Sequence, residues 1–447
     1  MFGKYKDCVL NLIVPTVVFG SVIGALSAAV IAVFKLGAKY AVEFSEEIYS
    51  LLRENWYYIP VILVLLVAFS FLLVFIYKKE PNIKGGGIPT SIAVIRGVMS
   101  FNWLKSLIGT FFLSLSSFLI GVPLGTEGPC VQMGTSLGRG CVSPFIKKHS
   151  KWGDYSMTAG ACAGFATATG SPLAGLIFVL EEIHCSISTP LIMVTAVSVM
   201  SAYAVSALIA PIFGISTTLF PKMDILNLKA GDFWLPLAVG ILFGVFAVLF
   251  FNYYRLICGF CNKILNKIPN YCRILLVFVL TLIFGVCGFS FVSTGHELTL
   301  SLFETKTAIL MLLAVLLVRT TLTLFANSNG ITGGMFIPVL AIGAVLSAVL
   351  GKIAIEYFGL SQSYYSVIIV LGITASIAGI MKMPVTAILF SVEALSCIEN
   401  VIYVVAVSVV SFGVAEFLGA KSTTECVLEA KIKQKEKNKN YAEVQNT

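Results

Sequence analysis

The residue best placed for chemistry is Glu127. It is the only charged residue between Lys105 and Arg139, and it sits inside Gly125-Thr126-Glu127-Gly128-Pro129. In a membrane, an ionised carboxylate at mid-depth costs at least about 2.5–3.5 kcal/mol, so it persists for a function, a partner or a proton. Flanking glycines leave backbone N–H groups bare, and a following helix adds the positive end of its dipole. Such a place takes an anion, and the glutamate side chain can occupy it as a tethered one. The competing local reading is a glutamate capping a helix in an interfacial loop.

Two further breaks offer the same chemistry. Gly85-Gly86-Gly87-Ile88-Pro89 and Gly333–Pro338 each present glycine-loosened backbone before an apolar segment. Several helix N-termini converging at mid-membrane bind an anion without a full positive charge that would hold it too tightly. Glu181-Glu182 closes a 26-residue stretch that has carried no charge since Asp154. Two carboxylates in one half, Glu127 and Glu182, suggest a proton relay, because burial can bring such a group into titration range. Glu181 and Glu393 read as helix-end acids. Lys382, beside Met383-Pro384, reads as a snorkelling interfacial lysine before it reads as a lure for anions. No nucleophile–base set and no HExxH accompany these acids, so an enzyme is not expected.

These residues must be positioned by membrane helices. Hydrophobic residues make up 58% of the 447 and charged residues 12%, against roughly 45–50% and 25% in soluble domains. Mean hydropathy is +0.95. So few charges cannot cover a soluble globule, and fibrous, disordered and disulfide-scaffold classes fall with it. The net charge of +8 comes without the basic–aromatic interleaving of nucleic-acid binders, so no nucleic-acid partner is expected. The eleven cysteines are scattered, and Cys258, Cys261 and Cys272 form the one cluster. Packing is the favoured role over a zinc site or a disulfide, so no metal and no cofactor are expected. The uncharged run 8–34 is too long for a signal peptide and reads as a retained, tilted helix. Lys4, Lys6 and the lysines from Lys431 to Lys439 place both termini in the cytoplasm, as segments 1–7 and 420–447.

The chain repeats itself. A shift of 209 positions lays Gly125 on Gly334, Glu127 on Phe336 and Pro129 on Pro338, and one of 212 lays Gly160 on Gly372, Phe178 on Phe390 and Glu181 on Glu393. Two blocks in the same order imply a duplication, with repeats over 8–252 and 272–419 and a linker at 253–271. Broken helices in matching places of two halves point to a transport site. An inverted repeat puts that linker outside, whereas its Arg255, Lys263 and Lys267, with Arg273 just after, put it inside by the positive-inside rule.

At this point the chain resembles the CLC family of chloride channels and chloride/proton exchangers, over about 8–428. Gly85–Pro89 resembles the family's GSGIP, Gly125–Pro129 its GREGP and Gly334–Pro338 its GxFxP, while Ser171–Gly175 running into Glu181-Glu182 is also similar. The resemblance implies an all-α polytopic fold of two inverted repeats with broken, tilted helices. It implies a homodimer with one pathway per subunit, in a prokaryotic plasma membrane and without C-terminal CBS domains. Glu127 matches the gating glutamate and Glu182 the inner proton glutamate. Phe336 and Ile337 match the backbone donors to the central anion, joined by Gly86, Gly87, Ile88, Gly125 and Gly128 around the anion. Three positions depart from the family. Gly86 replaces a serine, Thr126 replaces an arginine, and the family's tyrosine falls at Thr424 when the chain is read ungapped from Glu393. The expected function is exchange of chloride, or a similar small anion, against protons across the bilayer. The alternative is passive anion conduction by the same fold.

Overall fold

The structure is a computed structural model that describes residues 13–145, 151–184, 188–223, 225–304 and 307–432. The expected cytoplasmic segment 1–7 and the lysines beyond residue 432 lie outside the described residues. Among the described residues, eight helices make the first half: α1 (Val14–Glu54), α2 (Ile59–Lys79), α3 (Ile88–Ile95), α4 (Trp103–Ile120), α5 (Glu127–Val142), α6 (Lys151–Thr169), α7 (Pro172–Val179) and α8 (Thr189–Phe213). Eight make the second: α9 (Trp234–Lys263), α10 (Asn270–Cys287), α11 (His296–Leu302), α12 (Ile309–Ser328), α13 (Phe336–Phe358), α14 (Tyr364–Ile380), α15 (Pro384–Ala394) and α16 (Val401–Phe417). A last helix, α17, covers 423–432. Prolines occupy the first turn of α3, α7 and α15, where a missing N–H breaks no helical bond.

The halves pack alike. α5 lies on α6 as α13 lies on α14, and α1 lies on α8 as α9 lies on α16. α5 and α6 approach closely at Gly134 and Gly160, where a Cβ on either would strike the other's carbonyl oxygen. Their counterparts Gly343 and Gly372 close onto Ser376 and Ser347 in the same manner.

This order corrects the expected boundary. The first element of the second half is α9, so the join is 214–233 and not 253–271. Tyr49, late in α1, hydrogen-bonds the Ile120 carbonyl (2.6 Å) and lies against Gly285, late in α10. α1 and α10 are therefore parallel. α9 ends in the turn that starts α10, so it runs opposite to its counterpart α1, and the repeat is inverted. The basic stretch 253–271 is the end of α9 and its turn into α10, on the same end of the molecule as the start of α1. The inversion and the positive charge agree once the join is moved.

The first span is also longer than the run 8–34 suggested, because α1 continues through Lys35 and Lys39 to Glu54. Among the described residues, nine helices are long and apolar enough to cross a membrane. Large apolar side chains stay on the outside, such as Leu208 at 72% and Ile212 at 77% exposure, which suits a hydrocarbon surround. The interior belongs to α5, α6, α13 and α14, whose side chains are almost continuously buried.

Candidate functional site

The two halves meet at their broken helices. Gly125 N–H donates to the Gly334 carbonyl and Gly334 N–H to the Gly125 carbonyl, both at 2.7 Å. A side chain at Gly128 would fall on the Gly86 carbonyl and on Gly334 Cα, and one at Gly87 (φ +81°) on the Gly128 carbonyl. Only glycine permits that approach. The N-termini of α3, α5 and α13 thus converge, with Gly86, Gly87, Ile88, Gly125, Gly128, Phe336 and Ile337 in one neighbourhood.

Glu127 is fully buried as the first residue of α5. Its Oε1 accepts the Thr126 hydroxyl at 2.8 Å, and the backbone N–H groups of Glu127 and Ile337 act on the carboxylate. Oε2 folds back over Gly125, beside Ile337 and Pro338, in the space a Cβ of Gly125 would fill. That oxygen has no hydrogen-bond partner within bonding distance. The carboxylate therefore sits where an anion would, held by one hydroxyl and by helix ends.

Phe336, the counterpart of Glu127, turns its ring the other way. It meets Phe165 and Phe390 edge-on at 5.0 and 5.2 Å, and Phe165 stacks on Phe178 at 4.2 Å. These rings fix the start of α13 and leave its backbone to face the site.

Glu182 lies in a π-helical turn, Leu180–His184, that ends α7. Its main-chain carbonyl accepts Arg96 Nη2 at 3.2 Å, and the Thr424 hydroxyl lies beside its carboxylate. Thr424 also lines a cavity of about 10 Å³ with Gly86, Ile88, Pro89 and Asn327. A void of that size is close to the minimum that holds one water. Thr424 thus stands beside both Glu182 and the wall formed by Gly86 and Ile88.

The remaining acids and Lys382 take other places. Glu181 accepts the N–H groups of Val385 (3.1 Å) and Thr386 (2.9 Å) at the start of α15. Glu393 accepts those of Leu173 and Ala174, both at 2.9 Å, at the start of α7. Lys382 pairs with Glu416 at 2.8 Å and lies over the Phe412 ring. Cys258, Cys261 and Cys272 are free thiols. Cys258 meets the Ser328 hydroxyl at 3.2 Å.

Two residues near the site were missed in the sequence. Lys35 of α1 reaches toward the carbonyls of Thr167 (3.4 Å) and Ser216 (3.3 Å), and its charge acts on Glu127 and Cys130. Lys35 thus lies within electrostatic reach of Glu127, whereas Thr126 brings no charge. The uncharged run 8–34 stops just before Lys35, and only the fold shows that it lies in the middle of a 41-residue helix, where a lysine needs partners. Arg319 of α12 is fully buried and donates to the carbonyls of Ser290 (3.2 Å), Val292 and Ser293 (both 2.7 Å), tying down the loop before α11.

Comparison with known proteins gives a consistent picture. A family model described as voltage gated chloride channel matches residues 66–416. The H(+)/Cl(-) exchange transporter ClcA of Klebsiella pneumoniae is 25% identical over 424 residues, covering 93% of this chain and 89% of its own. A slow cyanobacterial Cl-/H+ antiporter superposes with a TM-score of 0.83 at 24% identity, over 94% of this chain and 98% of its own. A CLC-type fluoride/proton antiporter superposes at 0.72 with 18% identity, over 90% and 96%.

Proposed function

This chain belongs to the voltage-gated chloride channel family, and from that premise we propose that it exchanges chloride, or a similar small anion, for protons across the membrane. The observation that carries the reading is the seat of Glu127, a buried carboxylate with one unbonded oxygen where three helix N-termini meet. An anion entering that seat displaces the carboxylate, and the released carboxylate can take a proton. Anion and proton then compete for one place, which is the minimal requirement for coupling their movements. Glu182 stands on the other side, joined through Thr424 to the wall that holds Gly86 and Ile88. This gives protons a route that separates from the anion route only at its inner end. Backbone N–H groups at Phe336 and Ile337 supply the donors for the central anion, with Thr424 in place of a phenol.

The basic end of the molecule, with Lys78, Lys84, Arg255, Lys263 and Arg273, faces the cytoplasm by the positive-inside rule. That puts Glu182 on the inner side and Glu127 toward the outer. The assembly is a homodimer in a prokaryotic plasma membrane, each subunit with its own pathway.

The test uses purified protein in liposomes with an outward chloride gradient, recording chloride efflux and external pH together. Uphill proton uptake that follows chloride, and stops in Glu182→Gln, is the expected result. Chloride efflux without proton movement in the unmodified protein would overturn exchange and leave passive conduction.

A further inference from the structure

A second cavity, of about 740 Å³, opens at the basic end, walled by the ends of α2, α9, α10 and α12, by the segment before α3 and by α17. Five cations line it from five different elements: Lys78, Lys84, Arg255, Arg273 and Lys431. No aspartate or glutamate is among its lining residues. A halide ion needs neither that volume nor that charge. The size instead falls among small-molecule sites, roughly 300–1,000 Å³.

The cations are built in. The Lys84 stem lies over Gly330, a residue with φ +74° whose missing Cβ makes the room. Arg273 Nε donates to Asn329 Oδ1 at 3.2 Å, which orients the guanidinium. The Lys431 ammonium meets the Thr90 hydroxyl. Burial and the nearby Lys84 charge push Lys431 down to about 8. Like charges are thus held together at a cost that a multiply charged anion would remove. Arg and Lys together are the usual donors to phosphate oxygens, in forked and single contacts. Val74, Ile274 and Val427 give one apolar wall beside them.

We propose that this cavity binds a phosphate-bearing ligand, either a soluble phosphate compound or the headgroup of an anionic phospholipid. The cavity borders the Gly86–Thr424 void through Asn327 and Val427, which line both, so an occupant would sit at the inner mouth of the proposed anion route. That last link rests on the exchange reading, whereas binding itself is measured without any flux.

The experiment is titration calorimetry of the full chain in nanodiscs of neutral phosphatidylcholine, with pyrophosphate as probe at fixed chloride. Lys84→Gln/Arg255→Gln is the comparison, since both side chains are solvent-reached and their loss leaves the core intact. Saturable binding, weakened about tenfold or more in the double variant, assigns a soluble phosphate ligand. Native mass spectrometry from membranes containing cardiolipin forms the second arm. Phospholipid retained by the unmodified protein and lost in the double variant assigns the headgroup. Neither pyrophosphate binding nor variant-sensitive lipid retention, in protein whose thermal unfolding is unchanged, overturns the proposal.

Discussion

Glu181 and Glu393 hold each other's helices. Each is the other's counterpart in the repeat, and each carboxylate receives two backbone N–H groups from the N-terminus of the short helix in the opposite half. Glu181 also takes the Thr386 hydroxyl at 2.7 Å. The exchange is a two-way clasp between α7 and α15, and it gives the acid at each position a structural use.

Replacing Glu393 by Gln removes the charge from that clasp and turns an amide toward donors. Charge-assisted hydrogen bonds are worth about 1.5–3 kcal/mol, and thermal unfolding in detergent should show a loss of that order. The proton-to-anion ratio should stay as in the unmodified protein. A changed ratio with unchanged unfolding would contradict the structural role.

Thr126→Val takes away the hydroxyl that holds Glu127 Oε1. A hydrogen bond to a charged group contributes about 1.5–3 kcal/mol, so the carboxylate should leave its seat about tenfold more readily or better. If chloride competes for that seat, as proposed, the chloride concentration giving half-maximal flux should fall by about tenfold or more. Flux measured across a chloride series at fixed pH checks this, and an unchanged half-point would mean that the hydroxyl does not hold the carboxylate in its seat.

Gly128→Ala drives a methyl into the Gly86 carbonyl. Overpacking costs about 1–3 kcal/mol or more in a tight interior, and here it also spreads the three helix ends. Lower unfolding temperature and weaker anion binding should appear together. Gly413, exposed in α16 with nothing near its absent Cβ, is the control, and alanine there should unfold no earlier than the unmodified protein.

His296 opens α11, a seven-residue helix outside the spanning segments. It stacks on Phe220 at 5.3 Å and bonds the Leu219 carbonyl at 2.6 Å. Burial alone would push the imidazole down, but Glu297, the Leu219 carbonyl and the Glu127 charge outweigh it and hold it above the ordinary 6.5. A raised histidine stabilises the fold fully below its unfolded value, and the contribution disappears as pH rises through the folded one. The unfolding-temperature gap between the unmodified protein and His296→Gln should therefore be widest near or below pH 6.5 and close at more alkaline pH. A gap that widens with pH would reverse the sign and refute the charged form.

Glu127 was legible because isolation says so much in a membrane chain: one acid in more than thirty residues, between glycines, has few other uses. The repeat was legible through motifs that glycine and proline enforce. Its join was not, because α1 and α9 carry no such motif and long apolar helices align with one another in many registers. The charge on 253–271 had already contradicted the misplaced boundary. Lys35 was hidden by continuity, since nothing in the sequence shows that α1 runs on past its first lysine. Thr424 was located by counting, yet its contact with Glu182 depends on how α17 returns to the site, which no local pattern encodes.

The paired hydrogen bonds between Gly125 and Gly334 have the form of a two-fold contact, in which equivalent residues exchange equivalent bonds. Two separate, identical half-length chains joined there would be compelled to carry the same residue at positions 127 and 336. Two glutamates would then face one seat and repel, or two phenylalanines would leave it without a proton acceptor. A single continuous chain lifts that constraint. One side evolves the acid and the other the aromatic anchor, so a nearly symmetric framework acquires a direction.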